Sequence, residues 1–447
     1  MKGVKILLGD PKKALIKLSI PAMISNLVFT LYNLADGVWV AGLGSSALSA
    51  VGIFFPIFMI FIALSVGLGI GASSAISRRI GAKDKVGADS TASHALVISL
   101  VVAATITSLL IFLETLLRIF GAEGEVLKLA LDYSRVVVAG SVFLVFSNVS
   151  TGILNGEGST KRAMYANVSG TLLNIVLDPV FIYVLGLGIV GAAYATVVSM
   201  MLTSLIYLHW FLSGKTYVTP TFKHFKFDGK VVFDILRVGI PSSFSMITMS
   251  VAMVFLNLII INYGGPEGIA VFTSAWRIVS FGFIPLFGMA GALTAITGAA
   301  FGAKNMENLK KAYYHAIKIA ATIELFAFTL IFLTASKSAV LFTYSELSAN
   351  IYDELVIALR ILPSFLPFTP LGIMTVATFQ GIGKGEYALA VNILRTLVFQ
   401  LSFAYVFALS YGFYGVLVGI TLGNVVASLV AFFLGNFTIK ALERVVV

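Results

Sequence analysis

The sequence predicts an all-α integral membrane protein with about twelve transmembrane helices arranged as two six-helix pseudo-repeat lobes. Three observations predict it. The 447 residues are 59% hydrophobic and only 11% charged, with a mean hydropathy of +1.00, which no soluble surface around an ordinary core produces. Apolar runs of twenty residues or more alternate with short charged breaks, the pattern of spanning helices and not of ten-residue barrel strands. The chain also repeats itself at an offset that drifts only from 220 to 225 residues.

In order along the chain, the apolar runs place helices near 14–43, 49–78, 92–116, 126–153, 162–186 and 189–213, and then near 232–263, 267–300, 311–335, 350–381, 387–410 and 413–438. Before the first of these, MKGVKILLGDPKKALIKLSIP carries five lysines and no small-residue cleavage site, so the first helix is expected to be retained. The connections sort by charge. Arg78, Arg79, Lys83 and Lys85, then Lys161 and Arg162, Lys215, Lys223, Lys226 and Lys230, Lys304, Lys310 and Lys311, Lys384, Lys440 and Arg444 all fall on the side of the basic N-terminus. The connections at 44–48, 187–188, 264–266 and 411–412 carry no lysine or arginine. By the positive-inside rule both termini face the cytoplasm, across a plasma membrane.

The repeat divides the chain into an N-terminal lobe (1–213), a cytoplasmic linker (214–230) and a C-terminal lobe (231–447). IPAMISN at 20–26 parallels IPSSFSM at 240–246, SRRIGAKDK at 77–85 parallels GAAFGAKNM at 298–306, NGEGSTKRAMYAN at 155–167 parallels QGIGKGEYALAVN at 380–392, and GIVGA at 188–192 parallels GFYGV at 412–416. Two similar bundles that rock about a central cavity are the architecture of a secondary transporter.

Composition excludes several classes. With no cysteine there is no disulfide, thiolate metal site or cysteine nucleophile. The four histidines, at 94, 209, 224 and 315, form no ligand cluster. The net charge of +10 and pI of about 9.5 reflect the loop lysine and arginine bias and not nucleic-acid binding. No cofactor is expected beyond a coupling ion.

Asp36 and Asp178 carry the functional signal. Each lies inside an apolar helix at similar depth below the outer side, where an acid is costly without a task. On the fifth helix Asn167, Thr171, Asn174 and Asp178 recur at spacings of 4, 3 and 4, lining one face. On the first, Asn26, Asn33 and Asp36 form a similar stripe with Tyr32 beneath, and Thr196 of the sixth falls in the same layer. Pro179 donates no helical N–H and so frees the carbonyl of Ile175. Hard oxygen ligands of this kind suit a sodium ion held by Asp36, Asn174, Asp178 and Thr196, or a proton shared by the same carboxylates. In the second half, Leu256 or Asn257 stands in place of Asp36, and Phe399 and Phe403 in place of Asn174 and Asp178, so ion handling is assigned to the first lobe. Arg135, Arg277, Arg360 and Arg395 are read as helix-end or snorkelling residues and Glu324 as structural. Met246, Met249, Met253, Phe281, Phe283, Phe287 and Met289 are read as ordinary helix contacts.

LYNLADGVWVAGLG, SRRIGAKD, NGEGSTKRAMYANVSGTLLNIVLDP and GIVGAAYAT, in that order, resemble the multidrug and toxic compound extrusion (MATE) family, and within it the prokaryotic DinF-like branch. The resemblance implies a V-shaped pair of lobes that exports amphipathic, often cationic compounds against protons or sodium ions, working as a monomer in membrane lipid. It maps the family's N-lobe acids onto Asp36 and Asp178, its polar neighbours onto Asn174 and Thr196, and further cavity positions onto Tyr32, Tyr133 and Asn148; Asn33 and Thr171 join as network candidates. The acids that NorM-like relatives carry in the seventh and tenth helices are missing from those helix interiors here. Competing readings are a flippase for a lipid-linked precursor, whose cavity needs basic groups, an intramembrane enzyme, for which no aspartate-rich or nucleophile motif is present, and a passive channel.

Overall fold

The computed structural model describes residues 2–223, 225–344 and 348–446, so His224 lies outside the described residues. Among these, nine helical segments are long and apolar enough to span a bilayer, and a tenth is a pair bent by 48°. Two of the nine are double. Gly229–Gly302 runs 74 residues, about 110 Å if straight at 1.5 Å per residue, against a hydrocarbon core of about 30 Å. It turns back at Gly265, whose φ of 61° and ψ of −164° no helix contains. Gly385–Arg444 turns back in the same way at Gly412 (φ 57°, ψ −138°). Twelve spans result, as the sequence predicts.

We number the spans α1 (Pro11–Ala41), α2 (Ser45–Gly81), α3 (Lys85–Ile111), α4 (the bent pair Gly124–Ala139 and Ser141–Gly156), α5 (Thr160–Val184), α6 (Gly188–Leu212), α7 (229–264), α8 (266–302), α9 (Met306–Val340), α10 (Ala349–Gly381), α11 (385–411) and α12 (413–446). Several ends extend beyond the sequence-based bounds. Helix α3 starts at Lys85 and not near 92, because Asp84 caps it by accepting from the Gly87 N–H at 2.8 Å. Its polar first turns then find partners in the linker instead of water. A short helix, Lys2–Leu7, precedes α1 and carries no apolar span of its own.

The repeat is written into the backbone. Lys83 and Lys304, 221 residues apart, are the two non-glycine residues of the described chain with positive φ (61° and 55°). Gly44 and Gly265, Gly158 and Gly383, and Gly188 and Gly412 are pairs of positive-φ glycines at offsets of 221, 225 and 224. Asn305 caps α9 through the Asn308 N–H as Asp84 caps α3. Residues 180–184 of the fifth span and 394–400 of the eleventh wind as π-helices, but at non-equivalent positions of the repeat.

The two halves meet at the end that carries the basic loops. The glycine-rich run of α2 lets backbones come into direct contact: a Cβ on Gly67 would lie 2.7 Å from the Gly239 carbonyl oxygen and one on Gly71 2.3 Å from that of Ile235. A Cβ on Gly81 would lie 1.9 Å from the Ala299 oxygen, and one on Gly302 1.9 Å from the Arg78 oxygen. Around this contact Arg78 and Arg79 both bind Asp234 of α7, at 2.6 and 3.0 Å, and Arg78 donates to the Gly381 carbonyl at 3.2 Å. These contacts clamp the basic-loop ends together.

The linker after α6 is strapped to the first half. Asp89 accepts from the Thr219 N–H at 2.8 Å, Ser93 from Thr221 at 3.0 Å, His94 Nε2 from Asp228 at 2.9 Å, and Glu157 Oε2 from Val218 at 2.8 Å. Glu157 is fully buried and its Oε1 has no partner. Burial pushes its carboxyl above the ordinary glutamate range, against the pull of Ser159 and of the Val218 and Tyr217 N–H groups. A raised folded-state value contributes stability below the ordinary pKa and loses it as pH rises through the shifted one. The Val218 amide is therefore expected to exchange with solvent faster at high pH, after correction for intrinsic exchange. In Glu157→Gln that pH dependence should flatten, as hydrogen-exchange mass spectrometry would read.

Candidate functional site

The acid cluster forms where α1, α5 and α6 meet. Helix α5 keeps regular geometry to Pro179, then widens into the π-turn at 180–184, because the proline breaks the hydrogen-bond ladder. Asp178 therefore occupies the last regular turn and is fully buried. With the Asn174 amide oriented to satisfy both neighbours, its nitrogen donates to Asp178 Oδ2 at 3.0 Å and its oxygen accepts from the Thr196 N–H at 3.1 Å. Asp178 Oδ1 and Thr196 Oγ1 have no partner.

Across from them, Asp36 is half-buried and lies within electrostatic range of Asp178. Tyr32 and Tyr133 lie within the same electrostatic reach of both acids. Tyr133 is held by edge contact with Phe54 at 5.9 Å. The structure thus brings together Tyr32, Asp36, Tyr133, Asn174, Asp178 and Thr196.

Other candidates fall elsewhere. The expected α5 stripe splits: Asn167 turns into the lobe and accepts from the Tyr207 hydroxyl at 3.1 Å, which itself pairs with Thr151 at 2.8 Å. Thr171 is half-buried between the two groups. Asn148 ties α4 to α2, donating to Ser65 Oγ at 3.0 Å and to the Leu144 carbonyl at 3.1 Å. Asn33 is exposed and donates to its own helix at the Phe29 carbonyl, 2.8 Å. The spacing of 4, 3 and 4 put these side chains on one face but could not say which neighbouring helix each part of that face meets.

Two charged groups that the sequence reads as structural or snorkelling lie in the interiors of spans. Glu324 of α9 is fully buried with both carboxylate oxygens unpartnered, against the 3-10 turn at Ser280–Gly282, where a Cβ on Gly282 would sit 3.0 Å from Oε2. Arg395 is no helix-end residue, since it lies ten residues into α11. Arg395 is half-buried, whereas the full burial of Glu324 follows from long-range packing that composition does not encode.

No group of three or more His, Cys, Asp or Glu residues able to hold a metal occurs among the described residues. The cluster is instead a carboxylate pair with an amide and a hydroxyl, hard oxygen groups of the kind that can hold a proton or a small cation.

Comparison with known proteins agrees with this architecture. The family model MatE matches residues 21–180 and 241–406, one stretch in each half of the repeat. A multidrug export protein, MepA, of Staphylococcus saprophyticus is 25% identical over 390 residues, covering 86% of this chain and 85% of its own. A solved outward-facing multidrug resistance MATE family transporter of the MOP superfamily is 54% identical, with a TM-score of 0.96 and 99% of each chain covered. A MOP superfamily transporter from Pyrococcus furiosus is likewise 54% identical over 99% of both chains, with a TM-score of 0.95. With both halves matched by the family model and the whole chain superimposing on solved members, this twelve-span protein is a membrane transporter, not an enzyme, and belongs to the MatE family.

Proposed function

We propose that the protein is a secondary active efflux antiporter that exports amphipathic, cationic compounds in exchange for protons taken up at Asp36 and Asp178. The observation that carries the reading is Asp178 itself: a fully buried carboxylate, close to a second one, with Oδ1 unpartnered and Oδ2 fixed by Asn174. Such a group is stable when it holds a proton or a cation and unstable when empty. The Asn174 oxygen already accepts from the Thr196 N–H, so a sodium ion would have to compete for that ligand, whereas a proton requires only Asp178 and its neighbours. The names of the MepA relatives support multidrug compounds as cargo.

The mechanism follows from differential affinity. By the positive-inside rule the clamped end faces the cytoplasm of a plasma membrane, which supports reading the structure as an outward-facing state. A cationic substrate is held while the acids are charged. Protonation from outside removes that charge and releases it. Asp36 lies on α1 and Asp178 on α5, so neutralising the pair also changes how α1 packs, and Pro21 inside α1 supplies a flexible point. Repacking weakens the balance that keeps the cytoplasmic clamp shut, and a single chain completes the cycle.

The test is efflux of ethidium from proteoliposomes, with pH and sodium gradients imposed separately. The pH gradient alone is expected to drive accumulation against the ethidium gradient. A response to sodium alone would replace the proton by sodium, and downhill flux only would mark a channel.

A further inference from the structure

Glu324 lies near the middle of α9, with Met306 at one end and Val340 at the other. It is therefore about 27 Å along that helix from Met306, at 1.5 Å per residue, and deep within the bilayer. The residue is fully buried and neither carboxylate oxygen has a partner. Among the described residues of the second half, no other buried side-chain oxygen is left in that condition. Nor does a charged group act on it. Of the spans packed along α9, α8 carries Glu267 and Arg277, and α10 carries Asp353, Glu354 and Arg360. Glu267, Arg277, Asp353 and Arg360 are exposed, and Arg360 lies over the Phe332 ring at 5.9 Å. Span α1 brings Lys12 against His315 and Lys318, nearer the basic-loop end. Lys318 and Lys337 of α9 itself are exposed. An ionised carboxylate enclosed in this way is costly, and a bound proton removes the charge.

The backbone around the carboxyl group supplies a second, independent observation. Helix α8 tightens into a 3-10 turn at Ser280–Gly282, and α10 into a 3-10 stretch at Leu362–Phe368. The two breaks meet at Glu324: a Cβ on Gly282 would lie 3.0 Å from Oε2 and 3.3 Å from Leu366 Cδ1. Pro363 and Pro367 donate no N–H, so the carbonyls of Leu359 and Pro363 lose their α-helical donors. A carbonyl oxygen accepts from a protonated carboxyl and repels a charged one. The rings of Trp276 and Phe283, each 6.2 Å from that of Phe365, pack between the same two stretches. Mid-helix 3-10 stretches mark hinges or strain. At the offset of 221 that separates Lys83 from Lys304, the first-half counterpart of Glu324 is Ala103, so the repeat does not account for this acid.

We propose that Glu324 is a second proton-binding site, lodged in the second half, whose proton is held against the two 3-10 breaks and exchanged with water when they repack during transport. The carboxylate takes a proton from water while the breaks are open and carries it neutral while they are closed. It returns the proton to water when they reopen towards the other side, and only the O–H bond forms and breaks. The site's part in transport rests on the antiport reading, which it extends from one acid pair to an acid in each half.

Infrared difference spectroscopy of the full-length protein in nanodiscs reads the C=O stretch of protonated carboxyl groups, in water and after transfer to deuterium oxide. Wild type is expected to show a band that Glu324→Gln loses and that Glu157→Gln and Asp178→Asn retain. The band should shift in deuterium oxide. If Glu324→Gln does not fold, isotope-labelled glutamate in a Glu157→Gln background makes the assignment. Absence of the band overturns the proposal, because no proton is then held; a band that does not shift overturns it too, because the proton is then locked in place. In proteoliposomes at a pH difference of about one unit, folded Glu324→Gln is expected to accumulate ethidium to a ratio about tenfold below that of wild type, one proton fewer being counted per ethidium. An unchanged ratio overturns the proposal. Should wild type show no pH-driven accumulation, the antiport reading falls, and the infrared measurement by itself decides whether Glu324 carries an exchangeable proton.

Discussion

Asp178→Asn is expected to lower pH-driven ethidium efflux about a hundredfold, roughly 2.7 kcal/mol of lost driving interaction, while the protein remains folded. The substitution keeps the shape and still offers an oxygen to the Asn174 amide, whose hydrogen bond to Oδ2 is 3.0 Å. Its new NH2 replaces Oδ1, which has no partner to lose. Structure is therefore preserved and only the titration is removed. Asp36→Asn should give a similar loss, and the double variant little more than either alone, because two groups that bind one proton act as a unit. Initial efflux rates in proteoliposomes, with thermal unfolding as the check on folding, decide it. Wild-type rates in either single variant would show that these acids do not carry coupling.

The fold was legible because its signals are local and repeated. A span of twenty apolar residues, a lysine-rich connection and a recurring motif need no knowledge of partners, and the positive-φ pairs at Lys83 and Lys304 or Gly188 and Gly412 show the same repeat in the backbone. Asp36 and Asp178 were legible for the same reason: a charge in an apolar run is visible alone. What spacing could not supply was partnership. Asn167 and Asn174 share one face of α5, yet one joins Tyr207 and Thr151 and the other Asp178 and Thr196, a division set by where α4 and α6 cross. Glu157 lay in a quoted motif without being singled out, since its burial comes from a linker folding back over sixty residues later. The halves also diverge where function does, so the repeat predicts the frame and not the site.

The clamp at the basic-loop ends yields the other large effect. Gly81 and Gly302 are equivalent positions of the repeat, and each backbone lies against the other helix: a Cβ on either would come within 1.9 Å of a carbonyl oxygen, of Ala299 and Arg78 respectively. No side chain rotates to relieve that approach, so α2 and α8 must separate. Gly81→Ala or Gly302→Ala is expected to cost the clamped state about 1–3 kcal/mol of overpacking, a shift of about 5–150-fold towards the state open at this end. The chain has no cysteine, which allows spin labels at Val86→Cys and Glu307→Cys, two exposed positions flanking the contact, to report it without background. Wild type should give a short, narrow distance distribution and each glycine variant a longer, broader one, with efflux reduced. Gly52→Ala on the same helix, where a Cβ meets nothing within 4 Å, should leave the distances unchanged, because a methyl group in open space adds helix propensity and no clash. Unaltered distances in both Gly81→Ala and Gly302→Ala would mean that this crossing does not hold the halves together, and the weight would pass to Asp234, whose carboxylate joins Arg78 and Arg79 across the same seam.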